Sequence, residues 1–232
     1  MDLYVGTSGY SYKEWKGSFY PADLPEKQML QFYSQRFRTV EINNTFYRMP
    51  KVAFLEAWAG EVPPSFKFAL KAPQRITHLQ RLQDVGESLS YLLDVVGALQ
   101  ERQGPLLFQL PSGFKKDLPL LRDFLALLPS QHQTAFEFRH QSWFDDELLA
   151  LLHKNRVALC VAEAENDLEV PAVATADWGY LRLRRQDYGV AELKRWVKWV
   201  QEQRWQAAFV FFKHEDQAQG PLMAKRFLEL AG

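Results

Sequence analysis

The chain is poor in cysteine, in net charge and in long apolar runs. Its only cysteine among 232 residues is Cys160. One thiol excludes an intramolecular disulfide and any zinc or iron–sulfur site built on a cysteine cluster. Set in an apolar run, Cys160 reads as a core thiol more than a nucleophile. The 28 basic residues balance 28 acidic ones, so no global field draws the chain to nucleic acid or to an anionic membrane. No apolar run approaches the ~18 residues of a membrane span, and the chain starts on a strand pattern without a basic-then-apolar leader. A soluble, cytoplasmic protein with no membrane partner is expected. A glycine-rich nucleotide signature is also missing: Gly6-Thr7-Ser8-Gly9 has neither the spacing of a Rossmann turn nor the lysine of a P-loop. No cofactor is implied.

Apolar and aromatic residues, by contrast, are plentiful. Hydrophobic residues make up 47% and aromatics 14%, including seventeen Phe and seven Trp, which is ample for packing helices on a sheet. No linker divides the chain, so one domain over 1–232 is expected.

The stretch Val40-Glu41-Ile42-Asn43 alternates apolar and polar, the period of a strand whose faces meet different surroundings. Phe66, Phe68 and Leu70 likewise oppose Lys67 and Lys71. Phe136 and Phe138 oppose Glu137 and Arg139, and Leu181 and Leu183 oppose Arg182 and Arg184. Further strands are expected at Leu3 to Gly6, Leu106 to Leu110, Val157 to Ala162 and Phe209 to Phe212. Helical spacing falls between them: from about Glu26 to Phe37, after Pro50, from about Asp84 to Gln103, after the N-caps Asp117 and Asp145, around Leu193 to Val200, and from about Leu222 to Leu230. The acidic stretch from Glu163 to Asp177 has no such stripe. Strand and helix alternate about eight times, which predicts an α/β fold, a TIM-type (β/α)8 barrel with one outer helix missing or rudimentary between strands six and seven. A doubly wound open sheet is the competing architecture, but its strands should be apolar on both faces.

In a barrel of this kind, functional side chains stand at the C-terminal strand ends and in the loops after them. That rule gathers Glu41, Asn43, Lys71, Gln109, Glu137, Arg139 and Arg184 from strand ends. Thr7, Ser8, His78 and Trp143 join them from nearby turns, with Lys213 and His214 after the last strand. Two carboxylates among several cations describe either a structural ionic network or a ligand site. Burying charge is costly and barrel mouths are habitual binding sites, which favours the second. Cations outnumber anions on the rim, so a small anionic or phosphorylated ligand is expected. Arg182, Arg184 and Arg185 end strand seven, in the region where many barrels bind phosphate. Arg182 is deep enough to pair with an acid inside the barrel. Glu41, His78, Glu137, His140 and His214 are all able to bind metal, yet no two have a chelating spacing, and no metal is assigned.

The roles expected on this rim are those of an enzyme. Glu41 or Glu137 serves as general acid or base, Lys71 and Arg139 stabilise developing negative charge, and Asn43 and Gln109 orient the substrate. Lys71 is also the candidate for a Schiff base. On this reading Glu137→Gln leaves the fold intact and removes ligand-induced stabilisation.

Several blocks carry a family resemblance. In order they are Gly6-Thr7-Ser8-Gly9-Tyr10-Ser11-Tyr12, Phe19-Tyr20-Pro21, Glu41-Ile42-Asn43-Asn44-Thr45-Phe46-Tyr47, Lys71-Ala72-Pro73 with Ile76-Thr77-His78, Gln109-Leu110-Pro111, and Glu137-Phe138-Arg139 with Ser142-Trp143. Together they resemble the domain of unknown function 72 family, the YecE-like proteins. The resemblance covers nearly the whole chain and is most specific up to Trp143. It implies a TIM-type barrel and brings no settled reaction. The last third departs from the pattern: Arg182-Leu183-Arg184-Arg185 stands where Arg-x-His-Gly is usual, and Lys213-His214-Glu215-Asp216 where an Asn-rich turn is usual. Both changes make the rim more basic. A fold-level likeness to apurinic endonucleases of the xylose-isomerase-like class leaves nucleic-acid binding or processing as an alternative function, beside a non-catalytic ligand sensor.

Overall fold

The computed structural model describes residues 1–163, 168–186, 188–213 and 218–232. Eight parallel strands form one sheet: β1 (Asp2–Thr7), β2 (Thr39–Ile42), β3 (Lys67–Lys71), β4 (Gln103–Gln109), β5 (Thr134–Glu137), β6 (Ala158–Glu163), β7 (Trp178–Leu183) and β8 (Ala207–Phe212). Neighbours follow chain order from β2 to β8, and β8 pairs with β1. The barrel closes between β1 and β2 at one parallel bridge, Ser8 to Glu41, where the Gly9 N–H donates to the Glu41 carbonyl at 2.8 Å.

Below that bridge a side chain replaces the ladder. The Tyr33 hydroxyl accepts from the Thr7 N–H at 2.8 Å and donates to the Thr39 carbonyl at 3.0 Å, joining both strands. A Cβ on Gly6 would lie 2.2 Å from the Thr39 oxygen, so only glycine lets β1 approach β2 here.

Helices α1 (Met29–Ser34), α2 (Asn44–Tyr47), α3 (Val52–Glu61), α4 (Gly86–Val96), α5 (Leu118–Ala126), α6 (Asp146–Lys154), α7 (Val190–Glu202) and α8 (Gln219–Ala231) alternate with the strands. The N-caps expected at Asp117 and Asp145 are present, accepting from Leu120 N and Leu148 N at 3.0 Å each. Two predicted helices are shorter than their apolar stripes. Glu26 to Phe37 begins as a 3-10 turn before α1, and α4 passes into a tight turn broken at Gln100, whose φ is 50°. There β4 begins early, because Gly104 lets its backbone press on the Phe68 carbonyl. Between β6 and β7 the described residues, 168–177, contain no helix. Among the described residues no helix is long and apolar enough to cross a membrane.

Strand alternation sorts the side chains into two layers. Outward residues such as Val40, Phe68, Phe108, Phe136 and Val210 pack against the helices in the main core. Inward residues Tyr4, Leu107, Trp178, Phe209 and Phe211, with Ala69, Ala135, Ala158 and Cys160, fill the lower interior. Tyr4 stacks on Phe209 with centroids 4.7 Å apart. Above that plug the inward positions turn polar.

Candidate anion-binding site at the barrel mouth

The inward parity that places Cys160 and Phe211 in the floor points Glu41, Glu137 and Arg182 into the barrel above it, with Tyr180, itself packed in the floor, reaching up to Glu41. All four are buried. Arg182 lies between the carboxylates: its Nη2 donates to Glu41 Oε1 at 2.8 Å and its Nη1 to Glu137 Oε2 at 2.5 Å. Glu41 also accepts from Ser8 Oγ (2.8 Å), Asn43 Nδ2 (3.1 Å) and Tyr180 Oη (2.7 Å). Glu137 accepts from Arg184 Nη2 at 3.0 Å and from Gln109, with Arg139 Nε further off at 4.0 Å. Donors thus engage both oxygens of each carboxylate.

Burial alone would raise both carboxyl pKa values. Arg182 opposes it in both, aided at Glu41 by the Tyr180 and Ser8 hydrogen bonds, and the Glu41 pKa falls below its ordinary value. At Glu137, Arg182 and Arg184 outweigh burial and bring the pKa down to about 2. Burial disfavours the Arg182 charge too, but Glu41 and Glu137 hold it firmly protonated. Its Nε–H is buried and has no hydrogen-bond partner among the described residues, which native interiors rarely tolerate.

Over this layer opens a cavity of about 650 Å3. Five cationic side chains line it: Lys71, Arg139, Arg182, Arg184 and Lys213. Lys71 Nζ donates to Gln109 Oε1 at 2.9 Å and sits 3.9 Å from the centroid of the Phe46 ring. Burial, then the charge of Arg182, push its pKa down to about 8 although Glu137 and Glu41 pull the other way. His78 projects from a π-helical turn, Arg75–Leu79, with its ring edge-on to Phe46 at 4.8 Å. Burial, then the charges of Lys71 and Arg139, lower its pKa from the ordinary histidine value.

Of the residues singled out in the sequence, Ser8, Asn43, Lys71, His78, Gln109, Arg139 and Arg184 line this cavity, with Glu41 and Glu137 directly beneath. Three stand elsewhere, among them Arg185, whose Nη1 is held by Glu192 Oε1 at 2.5 Å and Glu163 Oε1 at 3.3 Å outside the cavity. Thr7 has the opposite strand parity from Ser8, and its Oγ1 lies 2.6 Å from Gly9 O and 2.9 Å from Tyr33 Oη, within the β1–β2 seam. Trp143 is wholly buried behind β5, its indole N–H donating to Phe114 O at 2.7 Å and its ring against Phe138. His140 is tied to Ser142 at 2.8 Å, and His214 lies outside the described residues. Among the described residues no three His, Cys, Asp or Glu side chains gather as a metal site.

The sequence reading passed over Tyr180, although it shares the inward face of β7 with Arg182. It also passed over Tyr12, Asn44, Phe46, Tyr47 and Gln74, which line the cavity. Phe46 and Tyr47 were visible as two consecutive aromatics just beyond a strand end.

A family model described as "Protein of unknown function DUF72" matches residues 4–232. The crystal structure of a DUF72 family protein from Thermotoga maritima superposes with a TM-score of 0.89 at 28% identity, covering 99% of both chains. A second, from Enterococcus faecalis, gives 0.80 at 16% identity over 99% of this chain and 97% of that one, a likeness of fold. The UPF0759 protein YecE of Escherichia coli K12 is 29% identical over 143 residues, which is 61% of this chain and 50% of YecE. The UPF0759 protein YunF of Bacillus subtilis is 29% identical over 151 residues, with 61% and 52% covered. The chain thus spans about half the length of the curated relatives it matches. With its eight-stranded barrel and a family match from end to end, the protein belongs to the DUF72 family.

Proposed function

We propose that the protein is an enzyme that binds a small anionic, phosphorylated ligand at the barrel mouth. One observation carries this reading: the cations face the cavity, whereas both carboxylates lie beneath them, saturated by donors. A ligand therefore meets positive charge, and the acids serve to hold Arg182 and Arg184 in place. The general acid–base role expected of Glu41 or Glu137 passes in this arrangement to Lys71, whose pKa of about 8 suits proton transfer near neutrality. Gln109 orients the Lys71 ammonium, and Arg139 and Lys213 supply charge to the ligand oxygens. Nucleic-acid binding gains no observation of its own: the chain has zero net charge, and the cations that carry this reading line one cavity.

The test is thermal unfolding with inorganic phosphate and with sugar phosphates at matched ionic strength, followed by turnover assays on any compound that binds. A ligand at 100 times its Kd adds about 2.7 kcal/mol to stability. Stabilisation of the wild type that Arg139→Ala and Lys71→Met both weaken is the expected outcome. Equal stabilisation of all three would remove the site, and binding without turnover would leave a sensor.

A further inference from the structure

The cavity walls differ on opposite sides. Arg139, Arg184 and Lys213 come from the ends of β5, β7 and β8, while the side next to β2 and β3 is aromatic, with Lys71 laid over the Phe46 ring. There Tyr47 stands edge-to-face on Phe46 with centroids 5.1 Å apart, and Phe46 in turn meets the His78 edge. The Tyr47 ring is 75% exposed, more than any other aromatic side chain among the described residues that opens to this cavity. An aromatic residue left in water gains nothing for the fold, since its area is not buried. Phe46 has a partner in Lys71, which covers its ring, whereas Tyr47 lines the cavity with most of its surface exposed. Asn43 and Asn44 line the same cavity; Asn43 Nδ2 is hydrogen-bonded to Glu41, and the Asn44 amide is able both to donate and to accept.

Resting on the anion-site reading above, we infer that the ligand is a nucleotide, a phosphate monoester joined to a planar ring, with the phosphate among Arg139, Arg184 and Lys213 and the ring against Tyr47. The cavity volume of about 650 Å3 lies within the usual range for small-molecule sites. A sugar phosphate would satisfy the cations and leave the aromatic wall wet. A free nucleoside would do the reverse. Only a molecule with both parts matches both walls, and an exposed tyrosine suits a ring because stacking tolerates many ring identities.

The test measures calorimetric affinities for adenosine 5′-monophosphate, uridine 5′-monophosphate, ribose 5-phosphate, adenosine and a single-stranded oligonucleotide at one ionic strength. Wild type, Tyr47→Ala and Tyr47→Phe are compared. At least one monophosphate is expected to bind about 5- to 150-fold more tightly than ribose 5-phosphate, the usual worth of one stacked base. Tyr47→Phe keeps that ratio, and Tyr47→Ala collapses it towards one. Equal binding of monophosphates and ribose 5-phosphate by the wild type overturns the inference while leaving the anion site standing. So does a preference that survives in Tyr47→Ala. Binding of the oligonucleotide without either monophosphate overturns it in favour of a nucleic-acid partner. Adenosine binding as well as its monophosphate, or nothing binding at all, removes the anion site itself and the inference with it.

Discussion

The floor and the throat of the barrel lie on the same strands and are built on opposite terms. Cys160 and Phe211 face inward and are fully buried in an apolar plug, where they need no partner. One layer up, Glu41, Glu137 and Arg182 are just as buried but charged, and each depends on the others. Apolar residues of similar volume often stabilise a protein as well as a buried ion pair does, so the throat is not explained by folding. What it provides is a fixed arginine layer beneath the cavity. The floor tolerates change; the throat should not.

The largest contrast is expected from Glu137→Gln. The amide is neutral, so Arg182 keeps only Glu41, Arg184 loses a partner, and a buried charge is left partly uncompensated. About 3–5 kcal/mol of stability should be lost in urea unfolding. This revises the expectation, drawn from sequence, that the variant folds normally and merely fails to bind. Because the Glu137 pKa is lowered from 4.5 to about 2 in the folded state, its contribution is complete above pH 4.5 and is lost as pH falls through about 2. In wild type, stability should fall over that window, with Glu41 contributing in the same direction. Glu137→Gln should show a shallower fall. A variant as stable as wild type would mean that the throat is no more demanding than the floor.

Arg139→Ala separates holding the layer from using it. Arg139 is 37% exposed and sits 4.0 Å from Glu137, at the long limit of an ion pair, so it adds little to the network. Its removal should leave the melting temperature within a degree or two and weaken phosphate binding roughly 10- to 150-fold, the worth of one hydrogen bond to a charged group. If the melting temperature drops and affinity holds, Arg139 belongs to the throat.

The pH dependence of binding sharpens the same boundary. Lys71 loses its charge as pH rises through about 8, so affinity for a phosphate ester should fall across that region and level off well above it. Stability should move the opposite way. The unfolded chain keeps its lysine protons to 10.5, and between about 8 and 10.5 the folded state has released the Lys71 proton, so unfolding becomes harder as pH rises. Lys71→Arg should abolish the break in affinity while keeping the anion bound.

Much of this architecture was legible because period-two alternation is a local signal. Glu41 and Glu137, and Arg182 with Arg184, show their shared face within their own strands, and the strand–helix rhythm closes them into a barrel. Arg182 was even placed for pairing with an interior acid, as it does with two. Beyond Arg182, the sequence does not order the groups by depth. Which carboxylate oxygens are saturated, and which cations face the cavity, follow from strand stagger around the barrel. Thr7 was displaced by a single step of parity, since β1 points it at the Tyr33 hydroxyl. Trp143 followed a strand end, but the turn Gln141–Trp143 carries its ring back into the core. Nothing in the sequence tells which of the adjacent aromatics Phe46 and Tyr47 is covered, and only Tyr47 is largely exposed.

The smallest expected effect belongs to the floor. Cys160 is fully buried on β6, and burial first, then the negative charge of Glu137, raise its thiol pKa well above the ordinary value. The reactive thiolate is therefore scarce, and no reagent reaches it in the folded protein. Alkylation should proceed only as fast as the chain opens, and adding denaturant should accelerate it in step with unfolding. Cys160→Ala should cost about 1 kcal/mol, as for a modest core truncation, and leave phosphate affinity unchanged. Rapid labelling under native conditions would mean that the plug admits solvent. The ion pairs one layer above it would then lie in a wetter, more polarisable medium, and the large penalty expected for Glu137→Gln should shrink accordingly.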